Sequence, residues 1–435
     1  MTTGALSGIA APADWRWRAL WSVAPRVKEF GRPELSPLSV YLDAGVVPRD
    51  SRGDNHNQLG EDLSRYLVVR PYDIVFNKLR TWQGGLGVSK HEGIVSPAYF
   101  VCRPDAASDS RFLHYLLRSK PYLAELTRIS KWMPPSQFDT PWETLRKLPM
   151  LLPPLEEQRR IADFLDAETA RIDGLVNAEQ RVLDRLVERR TAGVVTAVSG
   201  GEHAGRRAST LAWLDSIPES WQEVRVGLMA RMGSGHTPSR SHPEWWVDCT
   251  IPWITTGEVK QVRDDRLEDL YETREKISEL GLANSSAELH PKGTVFLCRT
   301  ASAGYSGVMG SDMATSQDFV TWTCGPRLNP HFLLWCLRAM RSDLLGRLAM
   351  GSTHKTIYVP DLQMLRIPVP SLDEQGEIID AIRRQNSRID NLTDKVRRQV
   401  ELLTERRQAL ITAAVTGQFD VTTASGRNVT DGVTA

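Results

Sequence analysis

The chain has 435 residues, a formal net charge of +1, 41% hydrophobic and 25% charged residues. Such values fit two to three folded domains and exclude a protein that coats nucleic acid through a basic tail. No apolar run approaches the ~18 residues of a membrane span, and Met1 to Ala13 lacks a secretory pattern; a cytoplasmic protein with a short flexible lead-in is expected. The cysteines Cys102, Cys249, Cys298, Cys324 and Cys336 are odd in number and form no C-x-x-C pair, so free thiols are expected and a zinc site is not.

In chain order, residues 1–152 form a first globular domain. Its short apolar runs Tyr66–Val69, Asp73–Phe76 and Ala98–Val101 predict strands, and Arg111–Ser119 predicts a helix. Residues 153–200 follow as a long helix, started by Pro153-Pro154 and stopped by Gly200. Residues 201–369 form a second globular domain, with strands predicted at Thr294–Leu297 and Phe319–Trp322 and a helix at His331–Arg341. Residues 370–418 form a second long helix, which ends at Gly417. The tail 419–435 has little apolar content and is expected to be disordered.

The chain is written twice. Leu155-Glu-Glu-Gln158 recurs as Leu372-Asp-Glu-Gln375, 217 positions on, and the same offset carries Arg171-Ile-Asp173 onto Arg388-Ile-Asp390 and Glu188-Arg-Arg190 onto Glu405-Arg-Arg407. Near offset 220, Phe76 pairs with Phe296, Gly84 with Gly304, Ser96 with Ser316 and Arg118 with Arg338. Pro12-x-x-Trp15 pairs with Pro218-x-x-Trp221 at offset 206. The changing offset means loops of unequal length within one shared fold. The fold class is therefore α+β: two similar globular domains alternating with two long helices, related by a pseudo-two-fold within one chain.

Each helix carries an apolar stripe at heptad spacing. The predicted seam is Ile161, Leu165, Ile172, Leu175, Val182 and Leu186 in the first, and Ile378, Ile382, Ile389, Leu392, Val396 and Leu403 in the second. Glu168, Gln385, Gln399 and Arg189 fall on the same positions. A helix of this length spans roughly 65 Å and must bury its stripe. The expected partner is its own repeat, as an antiparallel coiled-coil spacer. The alternatives are packing on the adjacent globular domain or pairing with another chain.

All 13 tryptophans lie outside the helices, as aromatic cores of the globular halves would require. Polar, glycine-rich loops separate the strands: Asn77–Gly85 and, in the matching place, Arg299–Tyr305, with Gly233–Arg240 and Thr255–Lys260 added in the second half. Arg, Lys, Gln, Asn, Ser and Thr suit base edges, and glycine lets backbone approach phosphate. Any one such loop is equally a solvated turn; the recurrence favours binding. Catalytic signatures are missing. Met133-Pro-Pro-Ser136 lacks both ends of an adenine-methylase motif, and no phosphate loop, H-E-x-x-H or nuclease cluster is present. His236, beside Ser234 and Thr237, has no legible third partner for hydrolysis.

With these residues in view, the chain resembles the specificity (S, HsdS) subunit of type I restriction–modification systems over residues 12–417. The most specific piece is Leu151-Leu-Pro-Pro-Leu-Glu-Glu-Gln158 leading into a helix, repeated as Ile367-Pro-Val-Pro-Ser-Leu-Asp-Glu-Gln375. Gly235-His-Thr-Pro-Ser239 followed by Ile251-Pro-Trp-Ile-Thr-Thr-Gly257 is similar to the opening of a target recognition domain. The first domain departs from that opening, with Gly93-Ile-Val-Ser-Pro-Ala-Tyr99 instead, so the halves are expected to read different sequences. The resemblance implies a non-catalytic subunit in which each domain reads half of a bipartite site on double-stranded DNA. The helices would set the gap and dock two modification (methyltransferase) subunits; restriction (endonuclease/translocase) subunits complete the complex. No cofactor is expected on this chain; S-adenosylmethionine, ATP and magnesium would sit on the partners.

Expected DNA-contacting residues are Lys78, Arg80, Gln83 and Lys90 in the first half. In the second they are His236, Ser239, Arg240, Thr255, Lys260, Arg299, Ser302 and Tyr305. Lys131 and Lys355, near the return to each helix, are placed on phosphates. Arg159, Arg160, Arg189 and Arg190 face partner subunits, DNA or solvent. Rival readings are a fused restriction–methylation enzyme, opposed by the missing motifs, and a non-catalytic coiled-coil scaffold or general DNA-binding protein.

Overall fold

A computed structural model of the chain describes residues 6, 8–53, 59–60, 62–133, 137–350 and 355–421. Residues 1–5 and 7 of the expected flexible lead-in, the Pro-Pro-Ser of 134–136 and the tail from 422 onward lie outside the described residues. The chain divides into two compact units, Met1–Gln180 with Arg398–Ala435, and Arg181–Arg397. Each unit thus holds one globular part, the start of one long helix and the end of the other.

In the first unit, strands form where short β-branched and aromatic runs are bounded by turns. A four-stranded antiparallel sheet runs in the order Arg26–Val27, Tyr99–Cys102, Ile74–Asn77, Leu86–Val88. The helices Ser110–Arg118 and Lys120–Ile129 bury Phe112, Leu113, Leu116, Leu117, Tyr122 and Leu126 in the core that the sheet closes. Asp109 caps the first of them, accepting from the Arg111 and Phe112 amides at 2.9 and 3.1 Å. Arg16–Ala19 pairs with Pro149–Leu152, so the chain leaves this domain beside where it began.

The second unit repeats the plan with one more strand. Its five-stranded sheet runs Ala230–Ser234, Phe319–Cys324, Val295–Cys298, Ser306–Met309, Asp269–Leu270, the last pair parallel. Pro330–Ala339 is the counterpart of the capped helix, and Gln222–Arg225 pairs with Arg366–Val369 as the closing ribbon. The predicted strands and both predicted short helices occur, each displaced by one or two residues at an end.

The long helices run Leu155–Val198 and Leu372–Val415. Their starts explain the repeated Glu-Gln. Gln158 Oε1 accepts from the Asp109 amide at 2.9 Å, and its Nε2 donates to the Ala107 and Pro153 carbonyls at 3.2 and 2.9 Å. Gln375 does the same with the Asn329 amide (2.7 Å) and the Arg327 and Pro370 carbonyls (both 3.1 Å). Beside them Glu157 accepts from the Trp15 indole at 3.2 Å, and Glu374 from the Trp221 indole at 3.3 Å. Each pair therefore rivets the start of a helix to its own globular part.

The helix ends are equally determined. Gly200 has φ +90° and an added Cβ would stand 2.5 Å from Pro218; Gly417 has φ +75° and would stand 2.5 Å from Pro12. In the first unit Ile161, Ala162, Leu165 and Ile172 share a core with Leu410, Ile411, Ala414 and Val415. In the second, Val194 and Val198 share one with Ile379 and Ile382. Within each unit the two helix segments run antiparallel: Arg407 pairs with Asp173 in one, Arg190 with Asp390 in the other.

The seam differs from the predicted frame at alternate positions. Leu165, Ile172, Leu186, Ile382, Ile389, Val396 and Leu403 are buried or half-buried, and Ile161 and Ile378 contribute at the helix starts. Between them the covered residues are Ala162, Thr169, Val176 and Leu183, then Ile379, Asn386, Thr393 and Val400. Leu175, Val182 and Leu392 are exposed at 44%, 42% and 50%. The doublets Leu175-Val176, Val182-Leu183 and Ile378-Ile379 offer two apolar frames one residue apart, and the polar Thr169, Asn386 and Thr393 sit in the frame that is used.

Cys102, Cys298 and Cys336 are buried and all five thiols are free. No described helix is long and apolar enough to cross a membrane.

Candidate nucleic-acid interface

In the second unit, the turn Thr315–Asp318 is the hub of the polar loops. Gly235 crosses it so closely that a Cβ would stand 2.1 Å from the Thr315 carbonyl, so only glycine fits. The His236 amide donates to that carbonyl at 3.0 Å, and the Thr237 hydroxyl donates to Gln317 Oε1 at 2.6 Å. Ser316 N–H reaches the Ile254 carbonyl at 2.9 Å, which sets Thr255 beside the turn. Arg299 donates from its amide to the Asp318 carbonyl (2.8 Å) and from Nε to the Gln317 carbonyl (3.1 Å). Its own carbonyl accepts from Ile357, in the ribbon that carries Lys355. His236, Thr255 and Arg299 are thus brought together, with His236 exposed and the other two half-buried. Lys355 is exposed and donates to the Leu345 carbonyl at 3.3 Å.

A second group gathers Ser302 and Tyr305. The Arg263 guanidinium lies 3.5 Å from Ser302 Oγ and 5.4 Å from the centre of the Tyr305 ring, with Arg341 4.7 Å from that ring. Lys260 is exposed on the turn of helix Val259–Val262 that precedes Arg263. Arg240 stands apart, over the Trp246 ring at 3.8 Å and 3.4 Å from Glu275, while the Ser239 carbonyl accepts from the Trp246 indole.

In the first unit, Asn77–Gly85 is a tight loop. Asn77 Oδ1 accepts from Leu79 N–H, the Thr81 hydroxyl donates to the Asn77 carbonyl, and Gly84 takes φ +88°. Trp82 packs at a tilt on Phe138 (4.6 Å), which meets Trp132 edge-on (5.0 Å), so the ribbon Lys131–Met133/Gln137–Asp139 covers the loop. Lys78 pairs with Asp139 at 3.2 Å. Lys78 and Lys131 both lie at Asp139, the first through its side chain and the second as its strand partner; Arg80 and Gln83 are exposed on the same loop as Lys78, and Trp132 stands 53% exposed beside Lys131. Lys90 does not join them; it is exposed at the opposite end of strand Leu86–Val88 from Gln83.

Sequence reasoning missed Trp132, Gln317 and Arg263. Trp132 was readable: an aromatic beside Lys131 supplies a stacking face next to a cation. Gln317 had only the matched Ser96 and Ser316 as a signal, and Arg263 had none. Among the described residues no cluster of side chains could hold a metal ion. The buried His290 beside Ser234 is held neutral by desolvation and supports the sheet. The chemistry on offer is hydrogen bonding, stacking and charge.

Polar and charged side chains thus gather on loops in each unit. Residues 218–402 match the family described as type I restriction modification DNA specificity domain. The resemblance read from the sequence is borne out along the chain. It is 23% identical over 387 residues to the putative type I restriction enzyme MjaX specificity subunit of Methanocaldococcus jannaschii, covering 83% of this chain and 82% of that one. It is 26% identical over 193 residues to the MjaIX specificity subunit of the same organism, covering 44% and 42%. The EcoR124I/EcoR124II specificity subunit of Escherichia coli is 22% identical, covering 41% and 44%. The chain thus spans less than half the length of these last two relatives.

Among solved structures, a chain from a study of complex assembly and conformational transition of the type I R-M system superposes with a TM-score of 0.72 at 19% identity, covering 94% of this chain and 99% of that one. The HsdS subunit from Thermoanaerobacter tengcongensis gives 0.53 at 20%, covering 95% and 99%. These establish the α+β fold with two long helices.

Proposed function

We propose that this chain is the sequence-reading, non-catalytic subunit of a type I restriction–modification complex acting in the cytoplasm. Each globular domain, bounded near 1–152 and 201–369, reads half of a split site on double-stranded DNA. The long helices pair as an antiparallel coiled coil that fixes the gap and docks two modification subunits, with restriction subunits beyond. Cofactors belong to those partners. The observation that carries this reading is the repeated gathering of exposed and half-buried polar side chains on loops in two units, each riveted to a helix start by the same Glu-Gln pair.

The two halves offer different side chains, Lys78, Arg80, Gln83, Lys131 and Trp132 against His236, Thr255, Arg299 and Gln317, which supports two different half-sites. Lys78, Lys131 and Lys355 suit phosphates, whereas Arg299 and Gln317 suit guanine and adenine edges. Lys90 and Arg240 take outlying positions in this reading.

The test is competition binding by the complex with the modification subunit. Arg299→Ala should cost about 1–3 kcal/mol on the preferred sequence and relax preference in one half-site alone. Lys131→Ala should weaken preferred and random DNA alike and lower the salt dependence by about one phosphate contact. Loss spread equally over both half-sites by Arg299→Ala would contradict the assignment.

A further inference from the structure

The two units differ at one place that the repeat makes comparable. In the second, Arg190 donates to the Asp264 and Asp265 carbonyls at 2.6 and 3.0 Å and lies 3.4 Å from Asp390. The almost wholly buried Arg338 donates to the Asp265 carbonyl at 2.9 Å, with its Nε 3.3 Å from the Asp265 carboxylate. Arg341 holds that carboxylate through two bonds of 2.9 and 2.6 Å. Asp265 takes φ +59° to be there. The chain supplies its own anion to a nest of arginines.

The offsets of 217 and 220 carry Arg190 to Arg407, Asp390 to Asp173, Arg338 to Arg118 and Gly304 to Gly84. The first unit keeps this frame. Arg407 donates from Nε and Nη2 to Asp173 at 2.8 and 3.2 Å. Arg118 donates to the Gly84, Leu86 and Leu42 carbonyls at 3.1, 3.1 and 2.5 Å, as Arg338 does to those of Leu267 and Ser306. The loop Leu42–Gly45 carries Asp43, whose carboxylate accepts from Arg52 at 2.9 and 2.8 Å and makes no bond to Arg118 or Arg407 among the described residues. A cavity of about 450 Å³ stands there, lined by Asp43, Gln83, His114, Arg118, Asp173 and Arg407.

The walls of this cavity present unmatched donors. Gln408 Nε2 is buried with no acceptor among the described residues. His114 Nδ1 accepts from the Val88 amide at 3.4 Å, which assigns the proton to Nε2. Asp43 is held by Arg52 and Asp173 by Arg407, so Arg118 is bound by carbonyls alone. Burial and the neighbouring Arg407 charge disfavour its cation and outweigh the opposing charge of Asp43. A buried cation and a stranded amide are costly until an anion joins them.

We propose that the first-unit cavity binds a small carboxylate or phosphate anion, in the place that Asp265 takes in the second unit. Either anion would accept from Arg118, Gln408 and the free Arg407 face together.

Melting of the full chain tests this, with citrate and inorganic phosphate titrated at constant ionic strength against chloride. A saturable rise in Tm with citrate or phosphate, absent with chloride, is expected; which of the two acts distinguishes carboxylate from phosphate. Gln408→Glu brings a carboxylate into the nest. It should melt higher than the parent without added anion and lose the anion-dependent rise. Gln408→Leu should weaken the apparent affinity roughly tenfold, the loss of one charge-assisted bond, and carries the test if Gln408→Glu fails to fold. A parent response no different from chloride, or an unchanged rise in both variants, would overturn the proposal.

Discussion

Gln158 and Gln375 each satisfy one backbone amide and two carbonyls at the foot of a long helix. A buried amide side chain removed from three backbone partners leaves all three unpaired. Gln158→Ala should therefore destabilise by about 2–4 kcal/mol, read as a lower denaturant midpoint. Replacement of the exposed neighbour Arg159, which pairs with Glu156 at the surface, should change it by less than about 0.5 kcal/mol. The repeat made this pair conspicuous in the sequence, though its partners were not legible: the Asp109 and Asn329 amides come from helices about fifty residues upstream. The candidate contact residues were legible as types on glycine-rich loops. Their grouping was not, because it depends on the Thr315–Asp318 turn and on the Lys131–Asp139 ribbon, whose hydrogen bonds have no local sequence signal.

His114 gives a second prediction at this scale. Burial holds its folded pKa down to about 4, against about 6.5 in an unfolded chain. The unfolded state takes the proton first, so stability present above pH 6.5 is lost as pH falls toward 4, by up to about 3 kcal/mol. His114→Gln should flatten the stability profile across that window. An unchanged profile would assign the loss to other groups.

At the scale of elements, the period of the long helices was readable and their frame only in part. Seven-residue spacing identified Leu165, Ile172, Leu186, Ile382, Ile389, Val396 and Leu403. Adjacent apolar pairs concealed which member faces inward, and the inward Thr169, Asn386 and Thr393 broke the apolar pattern. The corrected frame predicts an asymmetry. Leu175→Glu and Leu392→Glu, at exposed positions, should shift stability by less than about 0.5 kcal/mol. Leu165→Ala, fully buried, should cost about 2–5 kcal/mol. Denaturant midpoints of the three variants decide between the frames, and a large loss for Leu175→Glu would restore the predicted one. Strands and short helices were legible because each couples an apolar run to a cap or a glycine turn; their ends drifted by a residue or two where capping residues such as Asp109 lie outside the run.

For the whole molecule, the duplication is the organising fact. Each compact unit contains the start of one long helix and the end of the other, and the two end glycines meet equivalent Pro-x-x-Trp segments, Gly200 at Pro218 and Gly417 at Pro12. The proposed function makes the two halves exchangeable in specificity. A map of methylated adenines tests that central claim most directly. The chain is co-expressed with the modification subunit from its own operon in a host lacking adenine methylation. Methylation at a single split motif is expected, lost when the chain is omitted, with an exchange of residues 1–152 for those of another specificity subunit altering one half of the motif alone. Methylation that persists without the chain, or an exchange that alters both halves, would contradict its role as a two-part reader.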